Sequence, residues 1–161
     1  MNQPENVHAT GLVLGTTGVI LRGPSGAGKS LLALELLDAW EARGMPARLV
    51  SDDRIDLFAE TGGVTMRAPR SIEGLIELRG RGIVSRPFIR MAPLHLVVDL
   101  VPELERMVEE EALVTELLGV TLPRCPVPQA GIIDARHQLL LIKEALRAIT
   151  PGKPAARQKD T

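Results

Sequence analysis

Gly23-Pro24-Ser25-Gly26-Ala27-Gly28-Lys29-Ser30 fits G-x-x-x-x-G-K-[ST], the loop that carries a chain from a buried strand into a helix while wrapping a phosphate chain. Its glycines let the backbone approach the phosphates. Free N–H groups and the dipole of the following helix favour negative charge. Lys29 is the side chain that reaches the β- and γ-phosphates, and the Ser30 hydroxyl is a ligand for Mg²⁺. The flanks agree with the motif. Upstream, Val13-Leu14 and Val19-Ile20-Leu21 are two short apolar runs broken by Gly15-Thr16-Thr17-Gly18, which predicts a strand pair with a glycine turn, its second strand running into Gly23. Downstream, Ser30-Leu31-Leu32-Ala33-Leu34-Glu35-Leu36-Leu37 is rich in strong helix formers, and the spacing predicts a helix from Gly28 to Arg43 that stops at Gly44. The eight residues Gly23 to Ser30 are therefore expected to bind ATP.

Further along, Arg48-Leu49-Val50-Ser51, Ile55-Asp56-Leu57-Phe58 and Val64-Thr65-Met66 read as strands, the last two joined by a turn at Thr61-Gly62-Gly63. Pro69 to Gly82 reads as a short helix passing into a loop, from Ile72, Leu75 and Ile76 set among Gly74, Gly80 and Gly82. Leu94 to Val101 is a strand. Pro102 then opens a predicted helix with Leu104, Met107, Val108, Leu113, Leu117 and Leu118 on one face and Glu103, Glu105, Glu109, Glu110 and Glu111 facing solvent. Ile132, Ala135, Leu139, Ile142, Leu146 and Ile149 recur at helical spacing and predict a last helix that ends at Thr150-Pro151. The whole is an α/β P-loop domain with a central mixed sheet over residues 1–150, followed by a disordered tail over 151–161.

Composition narrows the function. The 161 residues, 45% hydrophobic and 24% charged, suit one globular domain burying about 70% of its unfolded surface. A formal net charge of −1, two Phe, one Trp and no Tyr argue against a nucleic-acid binder, which needs a basic face and stacking rings. Cys125 is the only cysteine, so no intrachain disulfide or multi-cysteine zinc site is available, which fits a reducing cytoplasm. Met1 to Thr10 has no apolar signal core, and no run is long enough to span a bilayer, so neither secretion nor membrane insertion is expected.

Phosphoryl transfer also needs a carboxylate near the metal and a residue that orients or deprotonates the acceptor. Two places compete: Leu96-Val97-Val98-Asp99, and Arg48-Leu49-Val50-Ser51 followed by Asp52-Asp53. Neighbouring side chains of a strand point to opposite faces, so one carboxylate of the Asp52-Asp53 pair would face the phosphates while the other braces a loop. Spacing alone leaves the choice open. Arg67, Arg70, Arg79, Arg81, Arg86 and Arg90 crowd a stretch whose only acids are Glu73 and Glu77, suited to binding phosphate or an acidic partner, or to a solvated face.

In this order the pieces resemble the catalytic domain of the HPr kinase/phosphorylase family, bacterial enzymes that phosphorylate a serine of the phosphocarrier protein HPr. The likeness is carried by His8 ahead of the strand pair, by the P-loop and its Leu-Leu-Ala-Leu-Glu-Leu helix, and by Asp52-Asp53-Arg54. Its most specific element is Leu75-Ile76-Glu77-Leu78-Arg79-Gly80-Arg81-Gly82-Ile83-Val84, similar to the family signature LEIRGxGI. It runs from Val7 to Ala145. The resemblance implies that Asp53, not Asp99, is the base toward the acceptor serine and the acid in the reverse reaction. His8 would tune that aspartate, Glu77 would join Ser30 on Mg²⁺, and Arg106 would neutralise the transferring phosphate. It also implies HPr as partner and a homo-oligomer, a hexamer in the family. The chain departs from the family in a longer link from Leu37 to Pro46, in lacking the N-terminal domain of larger members, and in a shortened C-terminal part after Pro123-Arg124-Cys125-Pro126-Val127-Pro128, so the kinase reaction is implied more firmly than the phosphorylase reaction. A small-metabolite kinase and a non-catalytic nucleotide-binding regulator are the other readings.

Overall fold

The computed structural model describes residues 3–149. Strands β1 (Glu5–Val7), β2 (Ala9–Leu14) and β3 (Thr17–Arg22) lead into helix α1 (Lys29–Ala42), and β4 (Ala47–Ser51), β5 (Ile55–Glu60) and β6 (Gly63–Arg67) follow. A 3₁₀ turn at Arg70–Ile72 precedes β7 (Leu75–Leu78) and β8 (Gly82–Ser85), then β9 (Met91–Leu94), β10 (Leu96–Val101), a second 3₁₀ turn at Glu110–Leu113, β11 (Val114–Leu117), β12 (Val120–Pro128) and helix α2 (Ala135–Ile149). The expected α/β architecture with a central mixed sheet is what forms: a six-stranded sheet ordered β11-β12-β10-β3-β2-β4, beside a four-stranded antiparallel sheet β1-β5-β6-β9 and the ribbon β7-β8. β3, β10 and β12 run parallel. β4, antiparallel to β2, points the same way.

Alternation along the central strands divides the core in two. Val19, Leu21, Leu96, Val98 and Leu100 join Leu32, Leu36 and Trp40 of α1 and Ile142 of α2 on one face. Ile20 and Val97 join Ile55, Leu57, Met66 and Leu94 of the small sheet on the other. The order is thus helices, central sheet, small antiparallel sheet. Gly18 makes the last contact possible. It belongs to β3 rather than to the turn, its N–H donates to His95 Nδ1 at 2.8 Å and its carbonyl accepts from the His95 N–H at 2.8 Å. A Cβ there would lie 1.8 Å from the Pro93 carbonyl oxygen.

Three expectations are corrected. Pro102 opens no helix: residues 102–109 are irregular, Leu104 and Met107 are exposed, and the run Val114-Thr115-Glu116-Leu117 alternates as a strand. Leu118 and Gly119, at φ 50° and 79°, form a two-residue hairpin turn into β12, in which Leu117 faces Val120. The acids Glu103 to Glu111 therefore lie on irregular chain and a 3₁₀ turn, not on a helix face. Second, only Arg70–Ile72 of the 69–82 stretch is helical, because Ile76 packs against the α1 core while Gly80 and Gly82, at φ 94° and 110°, close a hairpin. Third, Ile132 precedes α2, whose N–H groups at His137 and Gln138 are accepted by Asp134 through its carboxylate and its carbonyl. The predicted stop at Thr150-Pro151 and the tail lie outside the described residues.

Gly18→Ala should lower the thermal midpoint, at a cost of about 1–3 kcal/mol for overpacking. An unchanged midpoint on thermal denaturation would mean that β3 and β9 can separate freely at this point.

Candidate functional site

The carboxyl ends of β3, β4, β10 and β12 meet at one edge of the central sheet, the edge at which open α/β sheets bind ligands. β3 delivers the P-loop there. Its turn is closed by the Ala27 N–H donating to the Pro24 carbonyl at 3.0 Å, and Gly28 caps α1 at φ 99°, a left-handed conformation that glycine adopts without strain. Lys29 is buried, and its ammonium curls over the loop to donate to the carbonyls of Gly23 at 2.9 Å and Pro24 at 3.3 Å. Pro24, Ser25 and Gly26 line the exposed rim.

β4 ends beside it. The Ser30 hydroxyl donates to Asp52 Oδ1 at 2.6 Å. The same oxygen accepts from the buried Thr10 hydroxyl at 3.0 Å, while Oδ2 accepts the Glu77 N–H at 3.2 Å. A bulge in the β2–β4 pairing between Gly11 and Leu12 sets Gly11 opposite Ser51, which brings Thr10 to this carboxylate. The Asp53 N–H in turn donates to Thr10 Oγ1 at 3.2 Å. Asp53 has φ 71°, and the Arg54 N–H returns to the Asp52 carbonyl at 2.8 Å, so the turn holds the Asp53 side chain out, exposed, at the rim of the site.

The expected residues thus separate into two groups. Lys29, Ser30, the Asp52-Asp53 turn and Glu77 come together, with Glu77 joined through its backbone and its side chain exposed. His8, exposed between β1 and β2, is brought near the turn by the pairing of Val7 with Ile55, but no hydrogen bond or ion pair among the described residues links it to Asp53. Arg106 is exposed on the irregular chain after β10, and no hydrogen bond or ion pair among the described residues joins it to them. Asp52 is the member of the aspartate pair that turns inward to Ser30, and Thr10 is a residue of the site that the sequence reading does not name. The signal available for Thr10 was a hydroxyl within the apolar strand Ala9–Leu14. The oxygens of Ser30 and of the carboxylates are hard donors of the kind Mg²⁺ takes.

Asp99 has a different task. Arg22, the residue before the P-loop, binds it through both carboxylate oxygens at 2.7 and 2.8 Å, and Arg124 adds a contact of 2.5 Å while also donating to the Ala112 carbonyl at 2.8 Å. Burial by itself would raise the Asp99 carboxyl, but the hydrogen bonds from Arg22 and Arg124 outweigh it and hold the group below its usual range. Asp99 bonding raises the Arg22 guanidinium in turn. This carboxylate therefore fastens three neighbouring strands. Burial also pushes the Cys125 thiol up to about 12, which keeps it protonated and unreactive. Of the six clustered arginines, Arg67 pairs with Asp56, Arg86 with Asp38 and Arg90 with Glu73, whereas Arg70 is exposed in the first 3₁₀ turn and Arg79 and Arg81 stand exposed at the β7–β8 turn.

A family model described as HPr Serine kinase C-terminal domain matches residues 1–150. A protein named HPr kinase/phosphorylase from Geobacillus sp. (strain WCH70) is 35% identical over 144 residues, which cover 79% of this chain and 44% of that protein. One of the same name from Enterococcus faecalis is 30% identical over 171 residues, covering 94% of this chain and 51% of the other. The chain spans about half the length of the curated relatives it matches. The solved structure of the Hpr(Ser) kinase/phosphatase from Coxiella burnetii superposes with a TM-score of 0.69 at 26% identity, covering 91% of this chain and 99% of that one.

The Asp99 cluster predicts acid sensitivity. Its folded value lies below the unfolded value of about 3.9, so its contribution is fully present above that pH and is lost as pH falls through the folded value. Asp99→Asn should lower stability at neutral pH and flatten its fall below about pH 4. Equal acid unfolding profiles for the two proteins would contradict the assignment.

Proposed function

This chain belongs to the HPr serine kinase C-terminal domain family, and on that premise we propose that it is an ATP- and Mg²⁺-dependent kinase acting on a serine of HPr or a close relative. The observation that carries the reading is the exposed Asp53 carboxylate, held at the rim by its left-handed backbone, one residue from the carboxylate that binds the P-loop serine. A group so placed suits an acceptor presented by another protein.

Asp53 accepts the proton of the serine hydroxyl as the serine oxygen bonds to the γ-phosphorus and the bond to the ADP oxygen breaks, a contribution of about 10²- to 10⁴-fold for a positioned base. Lys29 leaves the loop carbonyls for the β- and γ-phosphate oxygens. Ser30 and Asp52, with Glu77 beside them, would hold Mg²⁺, which supplies charge neutralisation across the phosphates. His8, carried beside β5 by the pairing of Val7 with Ile55, would tune Asp53, and Arg106 would neutralise the transferring phosphate with the segment after β10 folded over the site. Arg79 and Arg81 are free to meet an acidic face of the partner. Self-association, hexameric by the resemblance, and a reverse reaction that releases pyrophosphate belong to the same proposal. No helix among the described residues is long and apolar enough to cross a membrane.

With labelled ATP and purified HPr, wild type should label serine and Lys29→Ala should not. Asp53→Asn should reduce transfer by at least about 100-fold with ATP affinity nearly unchanged, whereas Asp99→Asn should reduce transfer far less. Labelling of no serine, or the reverse ranking of the two aspartates, would refute the reading. Arg79→Ala with Arg81→Ala should raise KM for HPr by about tenfold and leave KM for ATP unaltered; equal changes in both would remove these arginines from partner recognition.

A further inference from the structure

The hydroxyl of Thr10 is buried within the apolar strand β2, and a hydroxyl is both a donor and an acceptor. It uses both capacities on two neighbouring aspartates. It donates to Asp52 Oδ1 at 3.0 Å and accepts the Asp53 N–H at 3.2 Å, across 42 and 43 positions of the chain. Asp52 Oδ1 also accepts the Ser30 hydroxyl at 2.6 Å. One oxygen atom of Thr10 therefore connects the P-loop serine, through Asp52, with the backbone of Asp53.

Asp53 needs such a hold. Its φ of 71° is a left-handed conformation that costs free energy for a residue with a side chain and persists where the surroundings over-determine it. Two bonds close the turn from within: the Arg54 N–H donates to the Asp52 carbonyl at 2.8 Å, and the buried Ser51 hydroxyl donates to the Arg54 carbonyl. Both act inside residues 51–54. Among the described residues, the hydrogen bond that reaches the Asp53 backbone from another element is that of Thr10. The strand that carries Thr10 is itself fixed. A Cβ on the next residue, Gly11, would lie 2.5 Å from Ile55 Cδ1 and 3.0 Å from Met66 Sδ, so β2 is pressed against the small sheet where Gly11 faces Ser51 and the aspartate turn leaves β4.

We propose that Thr10 is a positioning residue for phosphoryl transfer: its hydroxyl sets the Asp53 base at a fixed place relative to the side of the site that holds Ser30 and Asp52. The inference rests on the reading of Asp53 as that base. Thr10 is fully buried and acts only through the two aspartates. Valine has the shape of threonine and no hydroxyl, so it fills the same space in the strand while leaving the Asp53 N–H and Asp52 Oδ1 without this partner. Serine keeps the hydroxyl and drops the methyl group. A base displaced by about 1 Å loses on the order of 10²-fold in rate.

The test measures transfer to HPr by the full chain for wild type, Thr10→Val and Thr10→Ser, each with and without Asp53→Asn, together with hydrogen exchange at the residue 53 amide. Thr10→Val should lower kcat by about 10- to 100-fold with KM for ATP unaltered, and Thr10→Ser should restore most of that loss. In the Asp53→Asn background Thr10→Val should cost nothing further, because a positioning residue has no effect once the group it positions is gone. The Asp53 amide should be protected in wild type and in Thr10→Ser and lose its protection in Thr10→Val. An unchanged kcat in Thr10→Val, an equal fold loss in both backgrounds or no rescue by serine would overturn the assignment, an equal loss marking damage to the fold at large. A wild type that labels no serine of HPr would refute the kinase reading, and the amide then decides alone. Equal exchange in wild type and Thr10→Val would remove Thr10 from the turn, whereas faster exchange confined to Thr10→Val would leave its tie to Asp53 standing.

Discussion

The Asp52 carboxylate is the common acceptor on which the site depends. It takes hydrogen bonds from Ser30 at the start of α1, from Thr10 in β2 and from the backbone of Glu77 in β7. Three elements far apart in the chain therefore converge on two oxygen atoms. An ionised carboxylate forms stronger hydrogen bonds than a neutral acceptor, and the buried Thr10 hydroxyl would be costly to leave unpaired. Moving this group would release the P-loop serine, the turn that aims Asp53 and the ribbon that carries the signature arginines together.

A second carboxylate shows what the first is spared. Asp99 lies near the same edge of the sheet, within the apolar strand β10, and Arg22 and Arg124 occupy its oxygens and fix β3, β10 and β12 side by side. The strand that feeds the P-loop is thereby held from behind. Among the described residues, the donors to Asp52 are neutral, two hydroxyls and an amide. Among the described residues, two guanidinium partners set Asp99 apart from Asp52.

The exposed features lie around that edge. Asp53 stands at the rim, and Arg79 and Arg81 at the tip of a ribbon anchored by the fully buried Ile76. The P-loop itself is flanked by a cleft bearing Leu31 and Ile132. A rigid core thus supports short segments of differing chemistry: a glycine-rich loop over a buried lysine, and a basic ribbon tip.

The sequence by itself determined the P-loop with its strand and helix and most of the last helix, because each rests on local chemistry: glycine conformations and helical periodicity. Its spacing misled at 102–118 and 69–82, where apolar residues three and four apart suited a helix but belong to exposed irregular chain and hairpins closed by Leu118-Gly119 and Gly80. Only the tertiary structure decided that Asp52 receives Ser30, that Asp99 is claimed by two arginines and that Thr10 belongs to the site. Each of these contacts joins residues more than twenty positions apart, from Ser30 with Asp52 to Arg22 with Asp99 at 77. Such partners are chosen by strand order and by the register of the bulged β2–β4 pair, which side-chain spacing along one segment does not encode.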